Sequence, residues 1–158
     1  MDDLRLLISL HSKRLNVDVE VAYENLMLFS TLVGIMENDG KLTGGNPYST
    51  AKGLYQFVDG SVGPAINRLK RYIGDRPWMS SLYVSRDAST VGWEEQTLLL
   101  LGDLLGKRGS DRLMRPVMQY GNRESMRKAY LILHHTNPDS ATNRRAEVVF
   151  NGTLNDDR

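Results

Sequence analysis

"GIMENDGKLTGGNPYSTAKGLYQF", Gly34 to Phe57, contains the sharpest change of character in the sequence, because an apolar helical segment ends there at Glu37 and a polar, glycine-rich loop begins. The following Asn38-Asp39-Gly40 predicts the helix end, since asparagine and glycine tolerate the left-handed conformation that terminates helices. A glutamate at such a junction can have one side against the core and its carboxyl group in a cleft, where it could act as a general acid. A surface glutamate in a last helical turn is the simpler interpretation.

Composition bounds the fold and excludes several functions. The 158 residues, 41% hydrophobic and 25% charged, predict one domain over residues 1–158 with a single core. The net charge of +1 gives no field that would attract nucleic acid or an anionic membrane. The absence of cysteine excludes disulfides, thiolate nucleophiles and zinc–cysteine sites. The N-terminus has no cationic segment before a long apolar run, so we expect neither a secretory signal nor membrane insertion.

The spacing of apolar residues predicts a mainly helical chain. Residues 93–107, rich in consecutive leucines, should form the central buried helix. Pro116 should kink or end its helix, and residues 74–92 should be irregular. Short strands are expected only within residues 41–58. The predicted helices are residues 3–15, a helix from a cap at Asn16 or Asp18 to Glu37, one capped by Ser61, 93–107, 111–119, one capped by Asn122, and one from Asn137-Pro138 to Phe150.

The loop after Glu37 has the composition of a saccharide groove. Sugar rings have flat apolar faces and hydroxyl rims, so they bind aromatic surface beside amide and hydroxyl groups. Such groups are supplied by Tyr48, Ser49, Thr50, Tyr55 and Gln56. We assign Tyr55 and Gln56 to the groove and Phe57 to the core; the alternative is a polar hairpin with both Tyr55 and Phe57 pointing inward.

"STAKGLYQF", residues 49–57, together with the upstream Glu37, resembles the lysozyme-like superfamily, specifically lytic transglycosylases and lambda-type phage endolysins. In these families a helix-ending glutamate is followed by Ser-x-x-x-Gly-x-x-Gln. The resemblance covers roughly residues 30–105, including the "WEEQTLLLL" start of the predicted central helix. The families usually have serine or glycine directly after the glutamate, where this chain has Asn38.

The resemblance implies a mainly α (α+β) lysozyme-like domain with a small β-hairpin or loop region beside the cleft. It implies Glu37 as the catalytic acid and base, with Ser49, Thr50, Gly53, Tyr55 and Gln56 binding substrate. Gly53 would let the backbone approach the sugar. The families often place a tyrosine or asparagine from a late helix across the cleft, and the candidates for that wall are Tyr130, His134, His135 and Asn137.

The implied activity is cleavage of the β-1,4 bond between N-acetylmuramic acid and N-acetylglucosamine in peptidoglycan. A hydrolase needs two carboxyl groups, whereas a lytic transglycosylase needs one. The only other acids near the motif are Asp39, expected in the helix-end turn, and Asp59, expected with Gly60 in an ordinary turn. We therefore favour a transglycosylase. A muramidase-type or chitinase-like hydrolase and a non-catalytic virion or wall-binding module remain alternatives.

The expected partners are peptidoglycan glycan strands and, for a virion-borne domain, other virion proteins. We expect synthesis in the cytoplasm of a bacterial host, with access to the periplasmic wall after holin release or delivery by a phage particle. No cofactor is expected. A metal site is not expected either, because His134 and His135 have only the distant His11 as a third histidine. The basic residues between Lys107 and Lys128 could touch anionic wall polymers or form a solvated face.

Overall fold

Eight α-helices form within residues 2–44, 49–135 and 138–152, the parts of the chain that the computed structural model describes. The mainly α prediction is therefore confirmed. The expected hairpin is not confirmed: the same ranges contain no strand, only one isolated antiparallel bridge between Lys52 and Phe57. The helices are α1 Asp3–Leu15, α2 Val19–Asn38, α3 Asp59–Ile73, α4 Pro77–Ser85, α5 Trp93–Gly106, α6 Asp111–Tyr120, α7 Arg123–Ala129 and α8 Ser140–Ala146, with a 3₁₀ turn at Ala88–Thr90 and π turns at Tyr130–His134 and Glu147–Asn151.

The helix that carries Glu37 begins and ends where local signals predict. The Asp18 side chain accepts a hydrogen bond from the Val21 backbone N–H at 3.0 Å and caps the start of α2. Asp39 ends the helix in the left-handed conformation, with φ of 50°. By length and composition alone α2 could cross a membrane, a test that a buried core helix also passes. Here α2 packs against α1, α5 and α6.

The leucine-rich α5 is the central helix, as predicted. It buries ten consecutive residues from Gln96 to Leu105 and packs most closely on α3. Gly102 makes this approach possible, because a Cβ atom at that position would lie 2.8 Å from Leu69 Cδ1. One apolar cluster contains residues from every α-helix that the structure describes. The loop and the late helices near Glu37 pack against this core.

Two predicted helix boundaries between residues 58 and 92 are wrong. Helix α3 begins at Asp59 rather than after Ser61, because the Thr50 hydroxyl accepts from the Asp59 N–H at 2.9 Å. Residues 74–92 contain α4, with Pro77 in its first turn, where the missing N–H costs nothing. The predicted helix 111–119 is present as α6, and Pro116 does not end it, since fully buried Met114, Val117 and Met118 hold that helix in the core.

The late helices bring the C-terminal part of the chain back to α2. Asn122 caps α7 as predicted, accepting from the Ser125 N–H at 2.8 Å. Helix α7 continues into a π turn closed by the His135 N–H and the Tyr130 carbonyl at 2.9 Å. Asp139, rather than Asn137, caps α8. This path places Tyr130 and Arg145 beside the C-terminal end of α2.

Candidate functional site

The C-terminal turn of α2 leaves Glu37 half-buried at the start of the loop. The Asn38 side chain donates its amide to the carbonyl oxygens of Lys41 and Thr43, both at 2.9 Å, and so fixes the direction in which the chain leaves the helix. A serine or glycine in its place would lack the side-chain amide that makes both hydrogen bonds. The departure from the family pattern at position 38 therefore has a structural role in this chain.

Tyr130 is the principal partner of Glu37. Its side chain is 1% exposed, and its hydroxyl donates a hydrogen bond to Glu37 Oε2. Burial, reinforced by the neighbouring Glu37 carboxylate, raises the pKa of the Tyr130 phenol far above its ordinary value. The phenol is therefore a permanent hydrogen-bond donor to the carboxylate. Of the four candidates for the wall across the cleft, Tyr130 is the one that contacts Glu37, but at 1% exposure it is buried beneath the carboxylate rather than presented to a substrate.

Two histidines at the end of the π turn complete this side of the site. His134 Nε2 donates to the Tyr55 carbonyl oxygen at 2.8 Å, and its ring meets the edge of Phe57 at 5.6 Å between centroids. The ring of His135 lies 6.0 Å from that of Tyr130, also edge-on. The π turn thus joins the loop to the glutamate: its first residue holds Glu37 and its last holds Tyr55.

Arg145 is a member of the site that sequence reasoning missed. Its Nη2 donates to the Ile35 carbonyl at 3.0 Å and to Asp39 Oδ1 at 2.8 Å. The cation therefore lies at the negative end of the α2 dipole, and its charge lowers the pKa of Tyr130 against the larger opposing effects. A basic residue in the last turn of α8 gives no sequence signal for a contact with a helix more than 100 residues away.

The predicted groove residues Ser49, Thr50 and Gln56 make hydrogen bonds within their own loop. The Ser49 hydroxyl accepts from the Ala51 N–H at 3.1 Å, and Thr50 caps α3. Gln56, half-buried and in the left-handed region with φ of 53°, donates its amide to the Gly53 carbonyl at 2.9 Å. Among the described contacts, no hydrogen bond joins these three side chains to Glu37.

The assignment of Tyr55 to an open groove is wrong. Tyr55 is 2% exposed, whereas the assignment of Phe57 to the core is confirmed at 3%. The Tyr55 hydroxyl hydrogen-bonds to Thr97 Oγ1 at 2.8 Å, and burial raises the pKa of its phenol. Both rings therefore point inward, as in the alternative interpretation of this segment.

Gly53 also serves a different purpose from the one predicted. Its φ is +84°, and a Cβ atom would lie 2.5 Å from Gln96 Oε1, so a buried glutamine rather than a sugar occupies the space. Gln96 accepts from the Leu54 N–H at 2.7 Å and donates to the carbonyls of Val91 and Leu42 at 2.9 and 3.1 Å. One fully engaged amide thus fixes the loop to α5. The sequence marks Gln96 only as part of "EEQ".

Two predicted residues, Tyr48 and Asn137, lie outside the described residues. Within the described ranges, no group of three or more His, Asp or Glu side chains is arranged to hold a metal ion. Part of the basic run has structural partners: Lys107 bonds the Leu133 carbonyl at 2.5 Å, and Arg127 pairs with Glu124 at 2.6 Å.

Comparison of the chain with protein-family models, with curated proteins and with solved structures finds no match. The geometry of the site is therefore the basis for any functional conclusion.

Proposed function

We propose that this chain is a peptidoglycan lytic transglycosylase in which Glu37 is the single catalytic carboxylate. The observation that carries the proposal is the pairing of Glu37 with the Tyr130 phenol. One carboxylate oxygen, Oε2, is held by a buried donor. No described residue hydrogen-bonds to the other, Oε1, which leaves it available for a proton that must move during the reaction.

In the proposed reaction Glu37 first acts as an acid. Its proton passes to the glycosidic oxygen as the bond from that oxygen to C1 of N-acetylmuramic acid breaks and the sugar becomes oxocarbenium-like. The resulting carboxylate then accepts the proton of the same sugar's 6-hydroxyl as that oxygen bonds to C1. The product is a 1,6-anhydro ring, and Glu37 has recovered its proton without a hydrolytic water.

Tyr130 stabilises Glu37 between these two steps. Hydrogen bonds to a charged acceptor are about twice as strong as neutral ones, so the phenol favours the carboxylate that forms when the leaving group is protonated. Because the pKa of Tyr130 is raised, the phenol keeps its proton. Glu37, and not Tyr130, is therefore the group that exchanges a proton with substrate. Tyr130 is therefore proposed as a fixed donor, with His135 beside it at the edge of the substrate site.

The other nearby acids favour one-carboxylate chemistry. Asp39 forms an ion pair with Arg145 at 2.8 Å while ending α2 in the left-handed conformation. Asp59 begins α3 and lies 4.0 Å from Arg86, instead of forming the turn expected with Gly60. Both carboxylates have cationic partners and local structural roles. This supports the transglycosylase over a muramidase-type or chitinase-like hydrolase.

The finer fold assignment is also part of the proposal. The resemblance implies a helix-ending glutamate, a loop beside it and a buried helix after the loop, and this arrangement supports the proposal of a lysozyme-like domain. We propose that glycan strands enter beside the loop, with Ser49, Thr50 and Gln56 at its exposed edge. A phage lysis enzyme or a virion-borne domain is the proposed setting, with the wall of the host as the target.

Mass analysis of digested peptidoglycan tests the proposal. The parental protein should release muropeptides with anhydro ends, and Glu37→Gln should release them at least about a hundredfold more slowly. Reducing ends would instead identify a hydrolase. Intact glycan with a folded parental protein that still binds the wall would identify a binding module.

A further inference from the structure

A second concave site lies between α2, α5 and the loop, and we call it the Trp93 cavity. Its volume is about 190 Å³. Neither Glu37 nor Tyr130 lines it. The lining residues are Met27, Ser30, Thr31, Ile35, Gly40, Leu54, Tyr55, Trp93 and Thr97.

The hydroxyl groups of this cavity suit a ligand that brings hydrogen-bond donors. Ser30 and Thr31 each have the Met27 carbonyl as an acceptor for their hydroxyl hydrogen, at 3.0 and 2.9 Å. Thr97 has the Trp93 carbonyl at 2.7 Å, and the Tyr55 hydroxyl hydrogen-bonds to Thr97 and to Ser30. Since a hydroxyl has a single hydrogen but two lone pairs, the free capacity of these groups is for accepting, and a complementary ligand brings N–H or O–H donors.

The apolar part of the cavity suits a ring with a flat face. Trp93 is 50% exposed at the rim, and Ile35 is 38% exposed beside it, so the site is open to solvent. Met27 and Leu54 supply aliphatic walls. A 150 Å³ apolar cavity is large enough for benzene, so about 190 Å³ accommodates a single ring with a small substituent.

We propose that the Trp93 cavity binds one N-acetylhexosamine ring of a glycan strand, outside the Glu37 site. The ring stacks on Trp93, its acetamido methyl contacts the aliphatic walls, and its N–H donates to Thr31 Oγ1. The choice of an amino sugar rests on the proposed function, whereas the requirement for a ring that brings donors rests on the cavity. Tyr55 links the two sites, because His134 holds its carbonyl and its phenol reaches the cavity.

Nuclear magnetic resonance of ¹⁵N-labelled full-length protein tests the assignment. The probe is the β-1,4-linked trimer of N-acetylglucosamine, compared with a glucose trimer that lacks acetamido groups. The Trp93 indole N–H and the Leu54 and Gly40 amides should shift with the amino sugar only. Trp93→Ala should weaken the affinity at the remaining signals about tenfold or more, and Thr31→Val about threefold to tenfold. Tyr120→Ala, which removes an aromatic side chain 69% exposed elsewhere, should leave it unchanged.

An unmoved Trp93 signal, an equal response to the glucose trimer, or full affinity in Thr31→Val would each overturn the proposal. The result is separable from the fate of the Glu37 mechanism. Sugar-dependent shifts at Trp93 without glycan cleavage would leave this site standing and remove the transglycosylase. Glu37-dependent anhydro products without those shifts would do the reverse.

Discussion

Two arginines in this bundle make the same pair of contacts but serve different titratable neighbours. Arg14 bonds Asp111 at 2.7 Å and the Leu105 carbonyl at 3.4 Å, and it lies against His11. Arg145 bonds Asp39 and the Ile35 carbonyl in the same manner, and it lies near the Glu37–Tyr130 pair. His11 is fully buried, whereas Glu37 is half-buried.

The difference between His11 and Glu37 shows that a titratable group must be partly exposed to contact a ligand. His11 Nδ1 accepts from Arg14, its ring packs on Tyr72 at 4.0 Å between centroids, and its Nε2 has no described partner. That imidazole is well packed but inaccessible to any substrate. Glu37 has a buried donor on one oxygen and keeps a route to solvent. Only the second arrangement can exchange a proton with a ligand.

Replacing Glu37 should have the largest effect. Glu37→Gln preserves the shape and a hydrogen bond from Tyr130 but removes the proton, so turnover of peptidoglycan should fall roughly a hundredfold to ten-thousandfold. The melting temperature should be retained or raised, because an amide is easier to bury than a carboxylate. Turnover assays and thermal melts measure both quantities.

The matched control for that variant is Asp39→Asn, which changes the neighbouring carboxylate two residues further along the chain. It should keep substantial activity and still give anhydro products. A Glu37→Gln protein that digests the wall at the parental rate would remove the catalytic assignment altogether.

Acidification should act on the other cluster, through His11. Burial and the Arg14 charge lower the pKa of His11 from 6.5 to about 4. Between these values the unfolded chain binds more protons than the folded one, so stability is full above about pH 6.5 and falls as the pH drops to about 4. The loss should be about 3 kcal/mol.

Denaturant unfolding at several pH values measures this loss. His11→Gln, which cannot titrate, should remove the corresponding part of the slope while leaving the contribution of carboxylates such as Glu124, which begins near pH 5 and grows as the pH falls. If parental and variant slopes are identical between pH 6.5 and 4, the buried imidazole does not govern acid stability.

Tyr130→Phe should reduce activity while retaining the buried ring. Loss of a hydrogen bond to a charged group costs about 1.5–3 kcal/mol, which corresponds to roughly a tenfold to hundredfold decrease in kcat. KM should change little if the phenol acts on Glu37 and not on substrate. Tyr120→Phe is the control on an exposed tyrosine. A parental kcat in Tyr130→Phe would show that the phenol only packs.

The smallest effects should come from the arginines. Arg145→Gln removes an exposed ion pair and should cost about 0.2–1 kcal/mol. Arg14→Gln should cost more, because the buried His11 Nδ1 also loses its donor, in addition to the carboxylate and carbonyl contacts that both arginines make. Equal costs, measured by denaturant titration at pH 7, would show that the buried imidazole adds nothing to the Arg14 cluster.

Local signals in the sequence were sufficient for several elements. Asp18 and Asn122 cap the helices that they were expected to cap, because a cap bonds a backbone N–H only three residues away. The opposite case is α3, whose start is fixed by the Thr50 hydroxyl from across the loop. Residues 74–92 were expected to be irregular, although a proline such as Pro77 is often the first residue of a helix.

The residues of the candidate site likewise divide into those that could be named from the sequence and those that only the structure reveals. Glu37 was named from the sequence by its position at the junction, whereas Tyr130 was only one of four candidates for a substrate-binding wall, and its bond to Glu37 was not predicted. Gln96 and Arg145 were not named, because each acts on backbone groups of a distant segment. Tyr55 was misassigned because its burial depends on Thr97, 42 residues away, and a two-residue alternation does not say which face of the loop is covered.

The π turn at Tyr130–His134 makes this segment tolerant of losing one residue. A π turn accommodates one residue more than an α turn. After the loss of one residue from 131–133, the N–H of the present His135 could bond the Tyr130 carbonyl in an ordinary α turn, and the residues on both sides of the turn would keep their positions. The contact of Tyr130 with Glu37 should therefore survive such a deletion, as it should survive point substitutions at exposed Ile132.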